Sequence, residues 1–173
     1  IIDIGGGSTE FIWKKNDKVI EKSLDIGAVR LTERNIRNKN KALNNKNYKS
    51  LKNEIEKIID GSEMNNIKAS KMIGVGGTIT TSAAMDLELI EYDSKKIHHY
   101  LLSKKNIDKI FLKLSQSNLN ERKKMKGLNE ERADIITAGT VILKLIMEKF
   151  DFHEILISER DILFGLINEI IKK

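Results

Sequence analysis

Cysteine is absent from the chain. That excludes disulfides, thiolate metal sites and a thiol nucleophile together. Histidine is scarce: there are three, two of them the adjacent His98 and His99. No third ligand lies close by in sequence to complete a zinc site, so the pair is expected to be structural, side by side on a strand with one side exposed. A metal, if used, would take oxygen ligands. Aromatic residues make up 5% of the chain, too few for the stacking platforms of RNA-reading modules, and Trp13 is expected to serve core or lobe-interface packing. No apolar run approaches the ~20 residues needed to cross a bilayer, and the N-terminus lacks a basic-then-apolar signal pattern. A cytoplasmic protein with no membrane partner is expected.

What is present describes one globular domain. At 173 residues, 40% hydrophobic and 32% charged, the chain can bury one good core, and a single domain over residues 1–173 is expected. The net charge is +6, but the lysines are scattered among asparagine and glutamate without forming a stripe, which argues against a specific nucleic-acid partner. The same field would favour a small polyanionic substrate. The chain begins at Ile1, without a methionine, and enters an apolar strand at once, which reads as part of a longer protein.

The pattern along the chain alternates. Ile1, Ile2 and Ile4 read as a buried strand ending in a glycine turn, because β-branched residues suit a pleated surface and glycine permits unusual φ. Residues 10–15 and 18–26 are two more strands around the turn signal Asn16-Asp17. Helical spacing follows from Gly27, then at residues 48–60 with Leu51, Ile55, Ile58 and Ile59 on one face. Residues 72–75 form a short buried strand, and Gly76-Gly77-Thr78 opens a helix. Residues 97–102 look extended, and Ser103 is an N-cap candidate for a helix carrying Ile107, Ile110, Phe111 and Leu114. The longest helix is expected at residues 130–150, with Ile135, Ala138, Ile142, Leu145 and Ile146 as its stripe and Gly139 permitting close helix packing. A strand at residues 154–158 and an amphipathic helix at residues 162–171 close the order. The sum is an α/β domain with a mixed five-stranded sheet and helices packed on it, in which strand-end turns form the crevice.

The strongest chemical signal is DIGGGSTE at residues 3–10. Glycines remove side chains so that backbone N–H groups can approach phosphate oxygens, Ser8 and Thr9 add hydroxyls, and an acid before the turn can hold a cation or a water near phosphorus. Asp3 at the end of a buried strand is costly unless it is paired or bound to metal.

DIGGGSTE resembles the second phosphate motif of the actin, hexokinase and heat-shock ATPase superfamily, which has a ribonuclease-H-like fold. The stretch SLDIGAVRLTER, Ser23 to Arg34, resembles the one that marks the exopolyphosphatase and guanosine-pentaphosphate phosphohydrolase (Ppx/GppA) family. The likeness continues through GVGGTIT at residues 74–80, Gly127-Leu128, ERADII at residues 131–136 and Ser158 to Gly165. It implies a C-terminal lobe of a two-lobe phosphatase that removes terminal phosphate from inorganic polyphosphate or guanosine pentaphosphate. By position, Asp3 and Glu10 would place a divalent cation, magnesium by preference, or the attacking water. Gly5, Gly6, Gly7 and Ser8 would hold the terminal phosphate, and Gly76, Gly77 and Thr78 would form a second anion-binding turn at a helix N-terminus. Arg30 is either a phosphate contact or an ion-pair partner of Glu33 three residues on.

Two departures qualify the likeness. Family members often end the last motif with Gly-Leu-Arg-Glu-Gly, where this chain has Asp161, Ile162, Leu163, Phe164 and Gly165. The family's first phosphate loop and general-base glutamate belong to an N-terminal lobe absent from this chain, so the chain alone is expected to be inactive and the missing lobe is its first partner. A homodimer of the parent is compatible with the same resemblance. A non-catalytic polyphosphate- or nucleotide-binding regulator and a sugar or acetate kinase lobe remain alternatives.

Overall fold

Three of the first four residues are isoleucine, which favours a strand, and the computed structural model places β1 (Ile2–Ile4) at the middle of the sheet. The structure describes residues 1–160 except Glu63, Asn65, Asn66 and Lys68; the helix expected at residues 162–171 and the departure at residues 161–165 lie outside the described residues. β2 (Thr9–Lys15) and β3 (Lys18–Leu24) form an antiparallel hairpin whose two turn residues, Asn16 and Asp17, both take positive φ. Asparagine and aspartate are among the few non-glycine residues that tolerate that region, and such a turn matches the twist of paired strands.

β4 (Ile73–Val75) and β6 (Glu154–Ile157) run parallel to β1, and β5 (Leu101–Ser103) closes the edge antiparallel to β6. The order is β3-β2-β1-β4-β6-β5. The expected α/β lobe with a mixed sheet is therefore present, with six strands in place of five. The addition is β5, which begins in the stretch at residues 97–102 that reads as extended but is not counted as a strand.

Helix α1 (Ala28–Asn35) follows Gly27, and α2 (Asn45–Asp60) begins where the Asn44 side chain accepts a hydrogen bond from the Asn47 amide at 2.8 Å. α3 (Gly77–Asp86) follows β4, a single turn α4 (Ser94–Ile97) precedes β5, and α5 (Lys104–Gln116) is capped by Ser103 as expected. α6 (Leu119–Lys123) carries a capping box between Asn118 and Glu121. The longest expected helix divides: Glu130–Arg132 form a 3₁₀ turn, and α7 starts at Ile136 and ends at Lys149.

α7 packs against α1, α2, α3 and α5, and it is buried on nearly all sides from Ile136 to Met147, not along one stripe. Gly139 lets this happen: a Cβ there would lie 2.7 Å from Thr78 Cγ2 and 3.3 Å from the Ala28 Cβ, so the starts of α3 and α1 both rest on it. The histidine pair needs correcting. His98 ends α4, His99 has φ of 68°, and their rings stack at 3.8 Å, so they form a turn and not a strand. Trp13 packs at the margin of the core, as expected.

Candidate phosphate site

The acids and glycines of residues 3–10 come together because β1 and β2 are in register. Asp3 pairs with Glu10 across the antiparallel ladder, so both side chains stand on one face of the sheet, the face opposite the one on which Ile2, Ile4 and Phe11 are buried. They line a groove of about 840 Å³ with Ser23 and Val75 among the described residues. Glu10 Oε1 accepts from Ser8 Oγ at 2.5 Å and from Ser23 Oγ at 2.9 Å, which orients the carboxylate and leaves Oε2 without a hydrogen bond among the described residues. Ser23 was named in the sequence only as the start of a stretch; its register partner on β2 is Glu10.

The turn between the strands is tight. The Gly5 N–H donates to the Ser8 carbonyl at 3.0 Å, so Gly5 shapes the turn and its own donor is spent. The turn's carbonyls face α1: Gly5 O accepts from Ala28 N, and Gly6 O from Val29 N and Arg30 N, at 2.9 to 3.1 Å. The first N–H groups of a helix have no intrahelical partner, and here the turn supplies them. Gly27 makes this approach sterically allowed, since a Cβ there would lie 2.3 Å from Gly6 O. What remains for a ligand is the N–H groups of Gly6, Gly7 and Ser8, which enter no hydrogen bond among the described residues.

Arg30 resolves into neither of its two expected roles alone. Its Nε donates to the Gly7 carbonyl at 2.6 Å and its guanidinium pairs with Asp25 at 3.2 Å. The carboxylate partner is thus Asp25 and not Glu33, and the guanidinium is held against the turn itself.

The second turn lies at the end of the neighbouring parallel strand, β4, where Val75 pairs with Asp3. Gly76 has φ of 86°, and a Cβ on it would fall 2.1 Å from Asp3 Oδ1, so the acid of the first turn sits on the backbone of the second. Gly76 O accepts from Ile79 N and Thr80 N, while α3 has no side-chain cap at its N-terminus. The N–H groups of Gly77 and Thr78 are unused among the described residues. The Thr78 side chain is buried against Gly139.

One functional candidate escaped the sequence reading. The Arg132 guanidinium lies over the start of α3, so that a Cβ on Gly77 would be 2.2 Å from its Nη1. Arg132 follows Gly77 by more than fifty residues and reaches it from the 3₁₀ turn; the ERADII motif was a signal, but no local pattern links it to GVGGT. An exposed arginine beside a helix N-terminus gathers donors suited to phosphate. Next to it the Tyr92 hydroxyl bonds Glu159, and partial burial together with that bond pushes the phenol up to about 12, so it stays neutral.

No group of three or more His, Cys, Asp or Glu able to hold a metal exists among the described residues. Asp3 and Glu10 offer two carboxylates with hydroxyls beside them, all hard oxygen donors. That set suits magnesium, which keeps waters and substrate oxygens as its remaining ligands. No helix among the described residues is long and apolar enough to cross a membrane.

Comparison with known proteins identifies the family. The model of the Ppx/GppA phosphatase family matches residues 1–173. The chain is 38% identical, over 98% of its length, to a bifunctional 3-dehydroquinate synthase/phosphatase of Fusobacterium nucleatum, covering 26% of that protein. It is 26% identical to exopolyphosphatase 2 of Mycobacterium tuberculosis, covering 96% of this chain and 53% of the relative. Among solved structures, a Ppx/GppA family member from Aquifex aeolicus superposes with a TM-score of 0.85 at 31% identity, over 99% of this chain and 55% of that one. The chain thus spans a quarter to about half the length of the relatives it matches. A matching fold and a family model that runs from end to end place the chain in the Ppx/GppA phosphatase family.

Proposed function

We propose that the protein carrying this chain is a hydrolase that releases terminal phosphate from inorganic polyphosphate or guanosine pentaphosphate. The observation that carries the reading is the in-register pair Asp3 and Glu10 set between two turns with unused N–H groups. The N–H groups of Gly6, Gly7 and Ser8 would bind the terminal phosphoryl oxygens, and those of Gly77 and Thr78, with Arg132, the oxygens of the next phosphate. A water aligned by Asp3 or Glu10 forms a new O–P bond as the bridging P–O bond breaks, giving orthophosphate and a chain one phosphate shorter. A magnesium ion held by the two carboxylates would neutralise charge developing on the phosphate oxygens.

The proton of the water passes to a base that we assign to the part of the protein beyond this chain, in keeping with relatives about twice as long. The chain by itself is then expected to release no phosphate. Phosphate release by the whole protein, measured with long-chain polyphosphate and with guanosine pentaphosphate, tests the reading and tells the substrates apart. Tight binding of both with release from neither, across magnesium concentrations, would refute hydrolysis and leave a polyanion-binding regulator.

A further inference from the structure

Beside the second glycine turn lies another groove, of about 830 Å³, that the terminal phosphate would not fill. Its floor is α3, and its rim is the end of α6 and the loop that follows, with Lys123, Lys124, Lys126 and Arg132. The loop is fixed: Gly127 has φ of 76°, its N–H donates to the Leu89 carbonyl at 2.7 Å, and a Cβ on it would fall 2.2 Å from Ala84 O. The lysines are therefore presented by a backbone pressed onto the helix that carries the anion turn.

What sets this groove apart is the gathering of four cations on its wall. Lys123, Lys124, Lys126 and Arg132 form no ion pair among the described residues, and Glu130 is the one acid on the groove's wall. Cations gathered this closely, with one acid among them, repel one another, and a polyanion relieves that repulsion. Arg132 belongs to both places, since its guanidinium covers Gly77 and its side chain lines the groove.

We propose that this groove is a subsite for the distal phosphates of a polyphosphorylated substrate, entered past Arg132 from the glycine turns. The inference rests on the hydrolase reading for the position of the terminal phosphate, and it adds Lys123, Lys124 and Lys126 as residues that set preference for longer phosphate chains. Solvated surface lysines are the competing account, and they would act through net charge alone.

The test is calorimetric titration of the whole protein in metal-free buffer, where turnover is suppressed, with orthophosphate, long-chain polyphosphate and guanosine pentaphosphate. The triple variant Lys123→Gln/Lys124→Gln/Lys126→Gln is compared with Lys46→Gln/Lys49→Gln/Lys57→Gln, which removes the same charge from the exposed face of α2. Removing three clustered cations should weaken polyphosphate binding by about tenfold and the remote set by less than about twofold, with orthophosphate binding unchanged in both. Weakening of guanosine pentaphosphate as well makes the subsite common to both substrates; weakening of polyphosphate alone restricts it to phosphate chains. Equal loss in the two triple variants, or no loss in either, overturns the subsite. If the wild type fails to bind orthophosphate yet binds polyphosphate in a manner that depends on the three lysines, the subsite stands and the glycine-turn reading falls.

Discussion

The two glycine turns stand side by side at the carboxyl ends of β1 and β4, yet they are held from different directions and have different side chains packed against them. The first turn spends its carbonyls on the N-terminus of α1 and is flanked by the acids Asp3 and Glu10. The second opens α3, rests through Thr78 on Gly139 of α7, and lies under the Arg132 guanidinium. The first turn therefore sets carboxylates beside its unused N–H groups, and the second sets a guanidinium beside its own. Similar glycine-rich strings acquire different chemistry from what packs against them. Asp3 joins the two, because its carboxylate occupies the space that any side chain on Gly76 would need.

This division of labour makes Asp3→Asn and Arg132→Gln differ in kind. Asp3→Asn keeps side-chain size and should lower turnover of the whole protein by about three orders of magnitude, roughly 4 kcal/mol of transition-state stabilisation, with little change in melting temperature. Arg132→Gln should raise KM by about tenfold with a smaller change in kcat, as expected for loss of a ground-state phosphate contact. Steady-state kinetics with polyphosphate decide it; the same change in kcat and KM for both variants would break the distinction.

Stability separates the glycines next. Gly76→Ala demands positive φ from alanine and collides with Asp3, so it should cost ~2 kcal/mol or more, whereas Gly7→Ala meets nothing nearer than Arg30 Nη2 at 3.9 Å and should stay within ~1 kcal/mol. Urea unfolding of the two variants checks the order. A smaller effect is expected at Ser23→Ala, which removes one of the two hydroxyls on Glu10 and should lower turnover a few-fold, ~1 kcal/mol, with KM unchanged. Unaltered turnover would mean that Ser8 alone orients the carboxylate.

The smallest effect lies away from both turns, where Lys144 bridges Asp108 and Glu148. Burial pulls Lys144 down and Glu148 up, but the contacts with Asp108 and Glu148 leave the lysine raised, and those with Lys144 and Lys104 leave the glutamate lowered. The glutamate's contribution is then present above its unfolded pKa and lost as pH falls through its lower folded value. The lysine's contribution is present below its unfolded pKa and lost as pH rises through its raised one. The difference in melting temperature between wild type and Lys144→Met should accordingly shrink on acidification below pH ~4, by well under 1 kcal/mol because Glu148 is partly exposed. A difference that stays constant through that range would remove the ion pair as its source.

Much of this site was legible in the sequence because its signals are local. DIGGGSTE names the strand, the turn and both acids within eight residues, the glycine turn between two strands brings Glu10 back beside Asp3, and Gly76-Gly77 after a short apolar run marks a helix N-terminus. The strand count fell short because β5 lies at an edge in a stretch that read only as extended, and the start of the long helix was read early because a 3₁₀ turn lies just ahead of it. The close fit at Gly139 was expected, but the choice of Asp25 as the partner of Arg30, the seat of Arg132 over Gly77 and the close fit at Gly27 had no local sign. Backbone propensity and hydrophobic period act over a few residues, and they determined the elements, the order of the turns and the acids that flank the first. Which side chain reaches a turn from tens of residues away depends on how helices stack on the sheet, so the cation of the second turn and the lysine-rimmed groove next to it were decided only by tertiary packing.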